Sequence, residues 1–260
     1  MFNRDYYMKK ILLLLFILII PYLLNSYIFE VDKLESFIFI SSALTLDLSN
    51  NYFDRRIIEA PTNLELDVLD EDDIPFFDRI GLQPYSATLK DYSDYTTYLA
   101  IGSTLYCLYE SDKEILLDNL LVFSEIMIAQ SAIAKWTKTL SHRYRPFVYD
   151  ENISYDKKKQ RNSQHSFYSM HSSTVFAAAT SGYYYYSTNY GHNIFMGSIL
   201  FGSASATAIL RVAAAQHFPS DVIIGAIVGS GVSYVICKYH QNKKLKLSFG
   251  YDSVDISYRF

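Results

Sequence analysis

Residues 210–221 read LRVAAAQHFPSD, a short polar run set between two apolar stretches, Ile194 to Ala215 and Val222 to Tyr239. Each flanking stretch is long enough for a helix. Pro219 and Ser220 lie between His217 and Asp221, so a helix is predicted to start near Asp221 with Ser220 as its cap. The carboxylate is then placed to reach back to the imidazole. It would fix one tautomer and stabilise the charge that develops when the other ring nitrogen attacks.

Working outward, three further stretches have helical character: Tyr95 to Tyr109, Ile115 to Leu140 and Ser172 to Tyr186. The expected fold class is all-α, a bundle of about five to six helices. The stretch Ile115 to Leu140 carries Asp118, Asn119, Glu125 and Gln130, which are costly against lipid and favour a bundle with a wet outer face. A six-span arrangement is the rival, because it puts Lys9 and Lys10 on the same side as Lys238, Lys243, Lys244 and Lys246. After the bundle, KLSFGYDSVDISYRF alternates apolar and polar residues around a Gly250/Asp252-Ser253 break, the pattern of a short C-terminal β-hairpin.

At the other end, Arg4, Lys9 and Lys10 precede ILLLLFILII, a basic segment ahead of an uncharged apolar run. That is the pattern of an export signal or a membrane anchor. Residues 59–78 hold eight acids and no Lys or Arg. They read as a solvated loop, with Asp72 or Asp73 capping a helix at IPFFDRIG. The expected organisation is a signal or anchor at 1–29, an N-terminal helical and acidic-loop region at 30–93, a helical catalytic domain at 94–243 and the hairpin at 244–260.

Composition narrows the function classes. Half of the 260 residues are hydrophobic, 16% aromatic and 19% charged, with a mean hydropathy of +0.05, which excludes a disordered chain. The same value is low for a protein made only of membrane spans. A net charge of -4 argues against nucleic acid as a partner. Cys107 and Cys237 form no C-x-x-C pair and read as small buried hydrophobes. The histidines show no metal-ligand spacing, and no cofactor is expected.

Two more polar clusters interrupt the helices. Lys138-TLSHRY-Arg145-Pro146 closes the second helix, and Phe167-Tyr168-Ser169-Met170-His171-Ser172-Ser173 opens the third. With the first stretch, they place Lys138, Arg145, Arg211, His171 and His217 at helix ends that can share one mouth. Guanidinium forks fit phosphate oxygens, and a helix N-terminus at Ser169 to Ser173 adds free N–H groups.

In this order the three clusters resemble the signature of the type 2 phosphatidic acid phosphatase (PAP2) and vanadium haloperoxidase superfamily, K-x6-RP, PSGH and SR-x5-H-x3-D. The likeness runs from about Ile115 to Tyr239, and LSHRYRPFVYD and HFPSDV resemble exported bacterial members. The resemblance implies that His217 is a nucleophile forming a phosphohistidine, with Asp221 as its orienting partner. His171 would protonate the leaving oxygen and then activate water, while Lys138, Arg145, Ser169 and Arg211 bind the phosphoryl oxygens. It implies a metal-independent phosphatase acting on a phosphomonoester or diphosphate, a phosphorylated lipid before a small soluble ester, at the periplasm or cell envelope of a bacterium and associated with its membrane. Two positions depart from the pattern: Met170 stands for the family's Gly, and Leu210 for the Ser before the Arg. A side chain at 170 would be strained if that backbone needs positive φ. The alternatives are a vanadate-dependent haloperoxidase using the same pocket, with His217 on vanadate, and a non-catalytic envelope protein whose pocket has decayed.

Overall fold

Asp32 starts the first long helix by accepting from the backbone N–H groups of Leu34 and Glu35. It is the first of six helices of 20 residues or more in the computed structural model, which describes residues 28–241, 245–249 and 254–258. They are α1 (Lys33–Ile57), α2 (Ala87–Leu108), α3 (Lys113–Ser141), α4 (Met170–Tyr190), α5 (Ile194–Ala213) and α6 (Pro219–Gln241). Ser86, Asp112, Ser169 and Asn193 cap α2 to α5, each accepting from backbone N–H groups of the first turn. The chain is all-α in its described core, and five of these helices cover the five stretches read from hydropathy. Residues Leu245–Phe249 and Val254–Tyr258 run as short antiparallel strands. The remainder of the expected hairpin, and nearly all of the expected signal or anchor at 1–29, lie outside the described residues.

The helix α4 is the centre of the bundle. It packs most extensively on α6 and also lies against α2, α3 and α5, while α1 lies against α3. One apolar core joins Val122, Ile126, Ala178, Tyr185 and Cys237, and a second joins Ala100, Val175, Leu200 and Ala204. Cys107 and Cys237 are both free and buried. The α4–α6 contact is close because α6 carries glycine where α4 approaches. A Cβ at Gly225 would stand 2.6 Å from the Ser169 carbonyl oxygen, and one at Gly229 would stand 2.1 Å from that of Ser173. Both lie beyond any real Cβ contact, so the first turn of α4 is seated directly on the α6 backbone.

The wet outer face expected of this bundle is not observed. Asp118, Asn119, Glu125 and Gln130 on α3 are all buried, whereas Leu117, Leu120, Ile133 and Leu140 are exposed. The inward polar groups have partners there: Gln130 bonds Thr174 and Ser173 on α4, Asn119 the Leu108 carbonyl, and Glu125 the imidazole of His240 at 2.7 Å. The helix α1 is inverted in the same way. Its buried residues are Ser36, Ala43, Asp47 and Asn50, and Phe37, Ile38 and Leu48 face outward. Asp47 meets Lys135 at 2.5 Å, and Asn50 donates to Thr139. Periodicity locates such a polar stripe but not its direction. Three apolar segments among the described residues, Lys113–Val148, Ile194–Ala213 and Pro219–Gln241, are long and apolar enough to cross a membrane.

The acidic segment also departs from its reading. IPFFDRIG forms no α-helix; it carries one 3₁₀ turn at Arg79–Gly81, with Asp72 paired to Arg79 at 3.2 Å. Asp78, expected in solvent, is 1% exposed.

The α4–α6 seat yields a test. Gly229→Ala is expected to destabilise the protein by about 1–3 kcal/mol through overpacking. Gly231→Ala, with nothing near its added carbon, is expected to be neutral or to stabilise by about 0.5–1 kcal/mol. Thermal unfolding of the two purified variants beside the wild type reads the difference.

Candidate active site

The helix α6 begins two residues before the predicted start, at Pro219. Proline suits the first helical position because its missing N–H is an orphan there. Asp221 then falls at the third position and its Oδ2 reaches back to accept from the Phe218 N–H at 2.9 Å. This fixes the HFPSD turn and sets His217 at its rim.

Asp221 does not hydrogen-bond the imidazole directly: Oδ2 lies 3.7 Å from His217 Nδ1. The oxygen facing Nδ1 is the Ser166 carbonyl, at 2.8 Å. Asp221 acts one step back, accepting from the Ser166 hydroxyl at 2.5 Å. A carbonyl oxygen only accepts, so Nδ1 carries the proton, and Nε2 of the neutral ring keeps its lone pair. Burial, reinforced by Lys138, Arg145, Arg211 and His171, pushes His217 well below the ordinary imidazole range, so the ring is neutral near pH 7.

The four groups expected to bind phosphoryl oxygens surround this ring. Lys138, 8% exposed, donates to the His165 carbonyl at 2.7 Å and lies 3.5 Å from that of Ser166. Arg145 Nη1 donates to Gln216 Oε1 at 2.7 Å, and Arg211 Nη2 lies 3.5 Å from the same oxygen. One amide oxygen thus sits between two guanidinium groups, as an anion's oxygen would. Arg211 Nε is buried without a hydrogen-bond partner among the described residues. Ser169 is the N-cap of α4, and its N–H donates to the Asp221 carbonyl at 3.0 Å. His171, on the first turn of α4, places Nε2 3.0 Å from Asp94 Oδ1. All seven predicted residues therefore converge, tied by shared partners.

The departure at Met170 carries no backbone strain. It is the first residue of α4, and the positive-φ residues other than glycine, among those described, are His142 and Ala215. The family's Gly therefore marks no left-handed backbone here.

Several residues of the site had no sequence signal. Arg143 bridges two buried acids, donating to Asp221 Oδ1 at 2.6 Å and to Asp78 Oδ2 at 2.6 Å, and stacks over Phe218 at 4.4 Å. Asp78 also accepts from the Ser220 N–H and hydroxyl. The acidic segment thus sends one member into the support of the His217 turn. Asp94, Ser166 and Gln216 likewise stand beside the predicted set. A cavity of about 710 Å³ lies next to it, behind Pro146. That cavity is lined by Asp67, Asp70, Glu71, Asp150 and Glu151, and none of the seven residues faces it. Its mostly negative lining opposes a phosphate, in contrast to the cation cluster.

The buried imidazoles set a pH dependence. An unfolded histidine takes up a proton below about pH 6.5, and a buried neutral one does not. Their contribution to stability is full above that pH and is lost as pH falls. His171 keeps losing it down to its folded value of about 3, where burial first, then Arg211, holds it against the pull of Asp94. Without phosphate, the thermal midpoint is expected to fall between pH 7.5 and 5, and to fall less in His217→Asn. Equal falls in both proteins would contradict this account.

One comparison, with a family model, bears on this segment. The model of the PAP2 superfamily matches residues 119–245, a segment holding all seven residues. The crystal structure of Aquifex aeolicus LpxE is similar at 20% identity, covering 63% of this chain and 93% of that chain, with a TM-score of 0.42. No curated protein matches. The Lys-Arg, Ser-His and Arg-His-Asp clusters thus lie together in the one segment, residues 119–245, that matches the PAP2 superfamily.

Proposed function

We propose that this protein is a phosphatase of the PAP2 type, releasing phosphate from a phosphomonoester or diphosphate through a phosphohistidine. The observation that carries the reading is the buried His217 ring, whose Nδ1 faces the Ser166 carbonyl at 2.8 Å so that Nε2 keeps its lone pair, set among Lys138, Arg145 and Arg211. Phosphoryl transfer needs an in-line nucleophile and neutralisation of the phosphoryl charge, and this cluster supplies both.

In the first step Nε2 of His217 attacks phosphorus as the P–O bond to the leaving group breaks, and His171 gives its proton to the departing oxygen. In the second, His171 takes a proton from water, the hydroxide attacks phosphorus, and the P–N bond breaks to free His217 and phosphate. Lys138, Arg145, Ser169 and Arg211 hold the phosphoryl oxygens throughout. The Ser166 carbonyl, positioned by Asp221, stabilises the Nδ1–H as the ring gains charge. Charge neutralisation by three fixed cations makes the reaction metal-independent.

Lipid phosphates are the preferred substrate class, in or beside a bacterial envelope membrane. The three membrane-length apolar segments and the exposed apolar residues of α1 and α3 support this, because they suit a protein associated with a membrane, where lipid phosphates are found. The catalytic unit is residues 94–243, with Asp78 reaching in from the preceding region.

The test is phosphate release from phosphatidate in detergent micelles and from a soluble phosphomonoester, with EDTA present. Wild type is expected to prefer the lipid and to keep its rate in EDTA, and His217→Ala to lose activity by about 10³-fold or more. Equal release by both proteins would remove the nucleophile, and loss in EDTA would remove metal independence.

A further inference from the structure

Asp94, on α2, is the partner of His171. Its Oδ1 lies 3.0 Å from His171 Nε2 and 3.6 Å from Arg211 Nη1, and its Oδ2 lies 3.2 Å from Lys90 Nζ. A carboxylate oxygen only accepts, so Nε2 of His171 carries a proton and Nδ1 is the nitrogen left to exchange one. The acid step of the proposed reaction needs this ring charged, yet its surroundings oppose that. Arg211 faces it from α5, Arg145 from the loop after α3, and His217 from the loop before α6, while Lys90 stands behind Asp94. Burial and the two arginines push His171 down, and the Asp94 charge and hydrogen bond pull it back up.

We infer that Asp94 is a positioning residue for His171, fixing its ring through Nε2–H and balancing the imidazolium that delivers a proton from Nδ1 to the leaving oxygen. This rests on the phosphatase reading of the same site. The incoming phosphoryl dianion offsets Arg145 and Arg211, so the imidazolium forms in the complex with Asp94 as its fixed counter-charge. As the P–O bond breaks, the Nδ1 proton passes to the departing oxygen and the ring becomes neutral. Nδ1 then takes a proton from the water that attacks the phosphohistidine, which restores the imidazolium. Asp94 keeps its hydrogen bond from the Nε2–H throughout, the part an orienting acid plays behind an acid–base histidine.

The experiment follows phosphate release from phosphatidate micelles across pH 5–9 for the wild type, Asp94→Asn, Asp94→Glu, His171→Ala, the Asp94→Asn/His171→Ala double variant and His217→Ala. Asp94→Asn is expected to lower kcat by about 10–100-fold with KM little changed. Loss of the carboxylate charge disfavours the imidazolium, so the alkaline limb of kcat is expected to move to lower pH by about one unit. Asp94→Glu should restore part of the rate, and the double variant should match His171→Ala. An unmoved limb, or a loss that adds to that of His171→Ala, overturns the inference. A lowered KM with unchanged kcat also overturns it, because Asp94 would then be competing with the phosphoryl group for Arg211.

Calorimetry of inorganic phosphate binding in two buffers gives a readout independent of turnover. Wild type is expected to take up a proton on binding, and Asp94→Asn to take up less. Equal uptake sinks the Asp94 role even if no substrate is turned over. Full activity in His217→Ala would overturn the phosphohistidine reading alone, leaving the Asp94 result to stand or fall on its own pH shift.

Discussion

Like charges brought together inside a helical bundle repel one another, and the rest of this site is arranged around that cost. Lys138, Arg145 and Arg211 all bear on the His217 ring. Each cation rests on an acceptor: the His165 carbonyl for Lys138, Gln216 for both arginines, and Asp94 beside Arg211. Gln216 is shared between the two arginines, and Arg211 Nε has no hydrogen-bond partner among the described residues. The cluster is thus under-neutralised in a way that a phosphoryl dianion corrects, which is the condition for binding charge as it develops in a transition state. Burial, reinforced by the same cations, keeps the His217 ring neutral, the form that the proposed nucleophile requires.

Holding that cluster rigidly requires support from behind. Arg143 joins Asp78 and Asp221, two buried carboxylates that would otherwise stand uncompensated, and Asp78 also ties Ser220 at the start of α6. On the other side, Gly225 and Gly229 let α6 lie against the backbone of the first turn of α4, where Ser169 and His171 sit. Polar contacts continue between α1 and α3 and between α3 and α4 through Asp47–Lys135 and Gln130–Thr174, while Phe37, Ile38 and Leu48 of α1 and Leu117, Leu120 and Ile133 of α3 face out. Buried polar contacts between helices together with exposed apolar side chains on α1 and α3 suit a bundle whose surroundings are apolar.

Local spacing made the seven principal residues legible, because each cluster is contiguous in sequence and lies at a helix end. Helix positions were legible for the same reason. What the sequence hid is non-local. Asp94 sits mid-pattern in a tyrosine-rich helix, Asp78 is one acid among eight, and Ser166 and Gln216 are unremarkable by type. Each matters only because the fold brings it against a partner far along the chain. The direction of the polar stripes on α1 and α3 was hidden too, since a moment has a magnitude in sequence but acquires an inside only once neighbours are placed. At Met170 the family pattern pointed to a strain that the helical backbone does not have. The spacing of His217 and Asp221 implied direct contact, where an earlier start to α6 routes the contact through Ser166.

The central claim is that the phosphoryl group passes through His217 in two displacements. Its most direct test is the stereochemistry at phosphorus, using a phosphate ester made chiral with oxygen isotopes and an alcohol as the phosphoryl acceptor. Two in-line displacements predict retention of configuration. Inversion would mean a single displacement by the acceptor itself, and would contradict the account.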